Sequence, residues 1–168
     1  MKMIHVDEAY QTGYSYSLNA PIGQDFRDDF KPELTPKQML QLGVFGGDYF
    51  KEVPSEFPID WFDGLELSGG TGGRKERNYY QIMASQPLSE WQRKGWIYEE
   101  DPLGWFLWYC RYYMGRRIDY EDDRQINRWK NMTRHLSQVK KYCQPGDQLC
   151  RRRQRQALLH WAYDARKV

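Results

Sequence analysis

The sequence predicts a mainly α-helical protein whose core is built largely from aromatic rings. Helix-start and helix-stop residues recur through the C-terminal half, and between them apolar residues follow the period of an amphipathic helix. The 168 residues also include 7 Trp, 13 Tyr and 7 Phe. Rings must therefore fill much of the interior. The length suits one domain, so we expect residues 1–168 to fold as a single unit.

The N-terminal third is expected to be less regular. Pro, Gly and Asp are frequent there, and residues 1–33 are predicted to form an irregular arm with one short strand at 14–19. Thr35 and Pro36 are typical of a helix start, and Gly43 of a helix end. Shorter helices are therefore predicted at 36–42 and, after Pro87, up to Gly95.

Residues 68–78, SGGTGGRKERN, predict a flexible glycine-rich loop. A phosphate-binding loop would continue with Gly-Lys-Ser or Gly-Lys-Thr after a buried strand, and this segment does neither.

Three C-terminal helices are predicted, at about 102–114, 120–142 and 148–166. The first, PLGWFLWYCRYYM, is apolar on all sides, which indicates a buried central helix. Its exception is Arg111, which we expect either to pair with a carboxylate or to lie at an opening to solvent. The other two helices, joined by a turn at Pro145-Gly146, should pack on it as an antiparallel hairpin.

Charge is distributed unevenly along the chain. Residues 1–100 contain 10 Lys and Arg against 16 Asp and Glu, whereas residues 101–168 contain 15 against 7. We therefore expect either that the two halves pair with each other or that the basic half presents its charge to an anionic partner.

The run Arg151-Arg152-Arg153-Gln154-Arg155 lies at the start of the last predicted helix, where the helix dipole disfavours cations. Acidic residues of the N-terminal half, solvent or nucleic-acid phosphate can each compensate these charges. Tyrosines near a second basic cluster add candidate base-stacking groups. The candidate nucleic-acid-binding residues are Arg116, Arg117, Arg124, Arg128, Arg151, Arg152, Arg153, Arg155, Tyr112 and Tyr120.

No catalytic or metal-ligating constellation is recognisable, and no cofactor or metal is expected. The acids Asp119, Glu121, Asp122 and Asp123 can be read as a Mg²⁺ site, but helix capping and ion pairing with nearby arginines explain them better.

Three cysteines and an acidic N-terminus favour a cytoplasmic, reducing location. Cys143 and Cys150 flank a turn and can approach each other, and the sequence leaves open whether they pair. No apolar run approaches the roughly 18 residues of a membrane span, so no membrane partner is expected.

The strings GWFLWYCRYYMGRR at 104–117 and CRRRQRQALLHWAYD at 150–164 resemble an uncharacterised protein family. The resemblance covers roughly residues 34–168 and implies that the helical part is one recurring unit. The glycine-rich segment fits no part of that pattern, which supports a variable loop. The resemblance carries no assigned activity.

Three functions are therefore carried forward. The first is a small intracellular protein that binds nucleic acid, DNA or RNA, through an arginine-rich helical face. The second is an assembly protein that docks on a protein partner or on a second copy of the chain. The third is an enzyme acting on a nucleotide or nucleic acid, with arginines holding phosphate and the 119–123 acids holding a metal.

Overall fold

The computed structural model describes residues 2–67, 78–84 and 98–168. The helix predicted to follow Pro87 and nearly all of the predicted loop 68–78 lie outside these residues. Within them the protein is rich in helix, with one small sheet and a core of aromatic rings.

Residues 2–18 form a β-hairpin rather than part of an irregular arm. Strands β1 (Lys2–Glu8) and β2 (Gln11–Leu18) are antiparallel, with Ile4 opposite Tyr16 and an irregularity between Val6 and Asp7. The sequence predicted only part of β2, because β1 alternates weakly. A two-stranded ribbon is marginal alone, and burial of Val6 and Tyr16 fixes this one to the rest of the chain.

Helix α1 (Pro36–Gln41) begins where the sequence predicts. The Thr35 hydroxyl accepts from the Gln38 backbone N–H, and the Gln38 side chain accepts from the Thr35 N–H, which completes a capping box. A 3₁₀ turn, Ile59–Phe62, packs against this helix.

Helix α2 (Trp105–Met114) is the central helix, and residues 105–112 are all buried. It begins three residues later than predicted. Gly104, at φ +95°, precedes its first turn, and the Asp101 carboxylate binds arginines instead of capping the helix.

The predicted helix 120–142 is two helices, α3 (Asp119–Asn131) and α4 (Thr133–Tyr142). The break lies at Met132, whose N–H bonds the Trp129 carbonyl three residues earlier. The Thr133 hydroxyl also donates to the Lys130 carbonyl. Such tight turns and side-chain bonds to the backbone interrupt the regular helical ladder.

The last helix, α5 (Arg152–His160), is much shorter than the predicted 148–166. It starts late because Arg151 is left-handed at φ +55°, and it ends where Ala162 is left-handed at φ +64°. Asp147 does not cap it; its carboxylate accepts from the Leu149 N–H within the preceding turn. A 3₁₀ turn at Ala165–Lys167 follows.

The aromatic core is confirmed, and Phe30 lies at its centre. This ring is 1% exposed and makes edge-on contacts with rings of α2 and α3. Its partners at 5.0–6.5 Å between centroids include Trp105, Tyr109, Tyr112 and Trp129. Edge-to-face pairs add specific geometry to the area that the rings bury. A residue from the predicted irregular arm thus completes the helical core.

Candidate nucleic-acid interface

Arg111 of α2 is paired, as predicted, and the pair is completely buried. Its Nε donates to Oε2 of Glu56 at 2.7 Å, and its Nη2 donates to Oε1 of the same carboxylate at 3.0 Å. Its Nη1 donates to Oδ1 of Asp101 at 2.9 Å. Burial alone lowers the pKa of Arg111, but the Glu56 and Asp101 carboxylates outweigh it, and the pKa rises above its ordinary value.

Arg116 belongs to the same buried network and is not a surface residue. It is 1% exposed, and its Nη1 and Nη2 donate to the two oxygens of Asp101 at 2.7 and 2.6 Å. Its inclusion in the predicted binding surface is therefore wrong. Two arginines face two carboxylates here, so the charges of the network cancel internally.

This network attaches the β-hairpin to α2. The hydroxyls of Tyr10 and Tyr16 donate to Glu56 at 2.9 and 2.6 Å, and Gln11 accepts from Arg111 at 2.7 Å. Burial, with the Glu56 carboxylate next, raises the pKa of both tyrosines. Most polar atoms of the cluster are hydrogen-bonded inside the protein, although the buried Arg116 Nε has no partner among the described residues. Such internal bonding is typical of a structural role.

Arg117 binds the N-terminal arm. Its guanidinium lies 3.8 Å from the centroid of the Tyr112 ring and donates to the carbonyls of Gln24 and Asp25 at 3.0 and 3.1 Å. Tyr112 lies beneath it, fully buried, and its hydroxyl accepts from the Arg27 N–H at 2.9 Å. Tyr112 has no free face on which a base could stack, so this part of the predicted surface is also wrong.

The arginine run at the start of α5 is used largely within the protein. Arg155 is fully buried, against expectation, and its Nε donates to the Cys150 carbonyl at 2.7 Å. Arg152 donates to the Tyr80 carbonyl at 3.2 Å, and Arg153 donates to the Met83 carbonyl at 3.0 Å. Backbone carbonyls, rather than acidic side chains, compensate these cations.

On α3, Arg124 and Arg128 are half-buried. Arg124 forms a bidentate pair with the buried Glu121, with N–O distances of 2.6 and 2.8 Å. The Arg128 guanidinium lies 5.2 Å from the Trp161 ring centroid. Tyr120 is 74% exposed beside them. Of the ten candidates, Tyr120, Arg151 and Arg153 are exposed.

Glu121 and Asp122, at the start of α3, have the structural roles that were predicted: Glu121 forms the ion pair with Arg124, and Asp122 caps the helix. The Asp122 carboxylate accepts from Trp108 Nε1 at 2.8 Å and from the Ile118 N–H at 2.9 Å, which caps the helix. Burial nevertheless raises its pKa. Across residues 2–67, 78–84 and 98–168, no group of three or more His, Cys, Asp and Glu side chains is placed to hold a metal ion.

The only cysteine without a disulfide is Cys110, which lies in α2. It is fully buried, and burial raises its pKa well above the ordinary value. A protonated thiol without solvent access is a packing residue rather than a nucleophile.

Cys143 and Cys150, whose pairing the sequence left open, form a disulfide. The bond joins the end of α4 to the residue before Arg151 and closes the turn around Gly146. No helix of the described part is long and apolar enough to span a membrane.

A basic surface does exist, but it lies mainly on α4. Gln154 of α5 bonds the side chains of His135 and Gln138 across the helix pair. Arg134 and Lys141 lie on the same side of α4 as Gln138, because residues four and seven apart share a helix face. Arg151 donates to Gln154 and extends the surface toward Tyr142. We call this the hairpin face: Arg134, His135, Gln138, Lys141, Tyr142, Arg151 and Gln154.

Tyr142 is the exposed aromatic ring of the hairpin face. It is 57% exposed, with the Lys141 Nζ at 5.2 Å and the Arg151 guanidinium at 4.5 Å from its centroid. Helix α4 contains no acid. Arg134, Lys141 and Arg151 form no ion pair with any carboxylate of the described residues.

Sequence reasoning missed most of this face. The absence of acids between Asp123 and Tyr142 was visible in the sequence, as was the Lys140-Lys141-Tyr142 step. The denser arginine runs were predicted as the site instead, although several of their guanidinium groups are buried or bonded to backbone carbonyls. Glu56 was also missed, because no sequence signal links it to a residue 55 positions away.

Comparison with known proteins adds no relative. No protein-family model, no curated protein and no solved structure matches this chain. The resemblance drawn from the GWFLWYCRYYMGRR string stays a prediction.

Proposed function

We propose that this protein binds single-stranded nucleic acid through the hairpin face. The observation that carries the proposal is Tyr142, an exposed ring with two cations close to it and no described carboxylate paired to either. Proteins that bind single strands combine aromatic stacking platforms with positive charge that follows the phosphate backbone. The hairpin face offers both within one short segment.

The remaining side chains of the face suit the same ligand. Arg134, Lys141 and Arg151 supply three cations for phosphate, and Arg binds phosphate oxygens through its bidentate fork. The Gln138 oxygen accepts from Gln154, so its NH₂ group can donate to base edges or sugars. The predicted arginine-rich site thus moves from the α5 run to α4, with Arg151 shared by both.

An intracellular location belongs to the proposal, because nucleic acid is the polyanion that a cell interior offers in quantity. The Cys143–Cys150 disulfide weighs against a permanently strongly reducing compartment. The proposed location is therefore intracellular, in conditions that allow Cys143 and Cys150 to be oxidised.

The direct test is binding of a fluorescent oligo(dT) as a function of salt. Three phosphate contacts give a slope of about −2 in a plot of log affinity against log salt concentration for a single strand. A double variant, Lys141→Glu with Arg151→Glu, removes two of the contacts. With one contact left, the slope should become shallower, at about −0.7, with a large loss of affinity.

The matched control is Lys2→Glu with Lys31→Glu, which changes the net charge by the same amount. Both lysines are exposed; Lys2 lies in β1, and Lys31 lies in the loop that precedes α1. Equal losses in the two double variants would show a nonspecific effect of net charge and would reject the site. Thermal unfolding of each variant checks that the fold is retained.

A second comparison separates this site from the one predicted by the sequence. Arg152→Glu with Arg153→Glu reverses the run whose guanidinium groups bond the carbonyls of Tyr80 and Met83. We expect a smaller effect than at Lys141 and Arg151. No binding of any single strand by the unmodified protein would reject the proposal and favour a protein partner.

A further inference from the structure

We infer that the Cys143–Cys150 disulfide is a redox switch for the hairpin face, and that its reduction disconnects Tyr142 from Arg151. The inference rests on the proposed function for its consequence in binding. The structural change on reduction is argued from the described residues alone. The structural change and its effect on binding can therefore be tested separately.

The disulfide is next to both Tyr142 and Arg151 along the chain. Tyr142 precedes Cys143, and Arg151 follows Cys150, so the bond, with 5.8 Å between the two cysteine Cα atoms, keeps the backbones of Tyr142 and Arg151 close together. The Arg151 guanidinium lies 4.5 Å from the centroid of the Tyr142 ring. Both cysteines are only half-buried. A reductant can therefore reach the bond without unfolding the core, and exposed disulfides are the more labile ones.

The backbone at Arg151 is unfavourable without support. A non-glycine residue at φ +55° persists only where its surroundings hold it. The disulfide supplies a covalent constraint at the neighbouring Cys150, and hydrogen bonds from Arg155 to the carbonyls of Cys150 and Arg151 supply weaker ones. With the covalent constraint removed, we expect Arg151 to relax to an ordinary backbone conformation and its side chain to leave Tyr142.

The rest of the helix pair does not depend on the bond. Gln154 still bonds His135 and Gln138 further along α4, and Val139, Leu158 and Leu159 remain in the core. Reduction should therefore loosen residues 143–151 and leave the fold intact. This is the requirement for a switch, as opposed to a bond needed for folding.

The chemistry requires a dithiol as the reductant. One of its thiolates attacks a cysteine sulfur, forms a mixed disulfide and releases the other cysteine as a thiolate. The second thiol of the reductant then displaces the remaining cysteine. Two electrons pass from the dithiol to the protein, which gains two thiols while the reductant leaves as a cyclic disulfide.

Linkage gives the switch a second, independent signature. If the disulfide form binds single strands more tightly than the reduced form, bound strand must stabilise the disulfide by the same factor. Saturating oligo(dT) should therefore shift the equilibrium with dithiothreitol toward the oxidised protein.

The first experiment is hydrogen exchange on the whole chain, oxidised and after treatment with dithiothreitol. Thiol titration reports the state, because the oxidised chain has one free cysteine and the reduced chain has three. We expect faster exchange confined to residues 143–151. Unchanged exchange there, or loss of protection throughout α2, would overturn the inference.

The second experiment measures oligo(dT) affinity for both states and for Cys143→Ser with Cys150→Ser. We expect reduction and the double variant to weaken binding by about threefold or more, as loss of a preorganised contact does. Cys110→Ala is the control, and its response to the reductant should match that of the unmodified protein. Equal affinity of the oxidised and reduced forms would overturn the inference, whereas absence of binding by the oxidised form would overturn the proposed function alone.

Discussion

The guanidinium of Arg111 and the carboxylate of Glu56 form a parallel, two-bond ion pair in which neither side chain is exposed to solvent. Arg111 comes from the central helix, and Glu56 comes from a loop of the N-terminal half. Two tyrosines of the β-hairpin donate to the same carboxylate. The negative half of the chain thus meets the positive half here, inside the protein.

Removal of Arg111 should destabilise the protein severely. Arg111→Met leaves the Glu56 charge buried without its cation, and breaking a buried pair in this way costs about 3–5 kcal/mol. Urea unfolding measures the change. Lys37→Met is the control, because it breaks the exposed Lys37–Asp60 pair, and exposed pairs contribute little to stability. Similar losses in the two variants would contradict the role assigned to the network.

Gly115 should not tolerate a side chain. A Cβ there would lie 2.1 Å from the Ala20 carbonyl oxygen, and the residue has φ +123°. Gly146 also has positive φ, at +84°, but nothing lies near its Cβ position. We expect Gly146→Ala to cost about 1–2 kcal/mol from backbone strain alone, and Gly115→Ala to cost clearly more. Equal unfolding free energies for the two variants would show that the segment around Ala20 does not dock on the end of α2.

The stability of the protein should fall in mild acid because of His160. Burial lowers the pKa of this histidine from its ordinary 6.5 to about 4. Gln156 donates to its Nε2 at 3.0 Å, since the Gln156 oxygen already accepts from the Tyr80 N–H. The folded state therefore needs the neutral ring.

The direction of this change in stability with pH follows from where the folded and unfolded chains bind a proton. Above pH 6.5 the ring is neutral in both states, and below it the unfolded chain takes up the proton first, so stability is lost as the pH falls toward 4. We expect a loss of about 2–3 kcal/mol between pH 7.5 and about 4.5 that His160→Asn largely removes. Parallel pH profiles for the two proteins would contradict this assignment.

Tyr142 should matter for binding more than the equally aromatic and more exposed Tyr120. The exposed fractions are 57% and 74%, so exposure alone favours Tyr120. Only Tyr142 lies on the hairpin face. Tyr142→Ala should weaken oligo(dT) binding by about 1–3 kcal/mol, the value of one base stacked on an aromatic ring. Tyr120→Ala should leave affinity unchanged, and a reversed order would move the site to the start of α3.

Several features of this protein could be predicted from the sequence because their causes are local. The capping box at Thr35 and Gln38, the end of α2 at Gly115 and the turn at Gly146 depend on residues a few positions apart. The burial of α2 followed from a helix that is apolar on every side. That burial in turn required a partner for Arg111, although the sequence named no specific carboxylate.

Only the tertiary structure decided which cations remain at the surface. Arg116 and Arg155 look like their neighbours in the sequence, yet both are buried, because Asp101 and distant backbone carbonyls lie within reach once the chain has folded. The break at Met132, the left-handed Arg151 and the Cys143–Cys150 bond likewise set the ends of the helices that form the hairpin face. Composition determined how much positive charge the C-terminal half contains. Contacts between residues far apart in the chain determined where that charge is displayed, because burial and pairing depend on which groups meet in space.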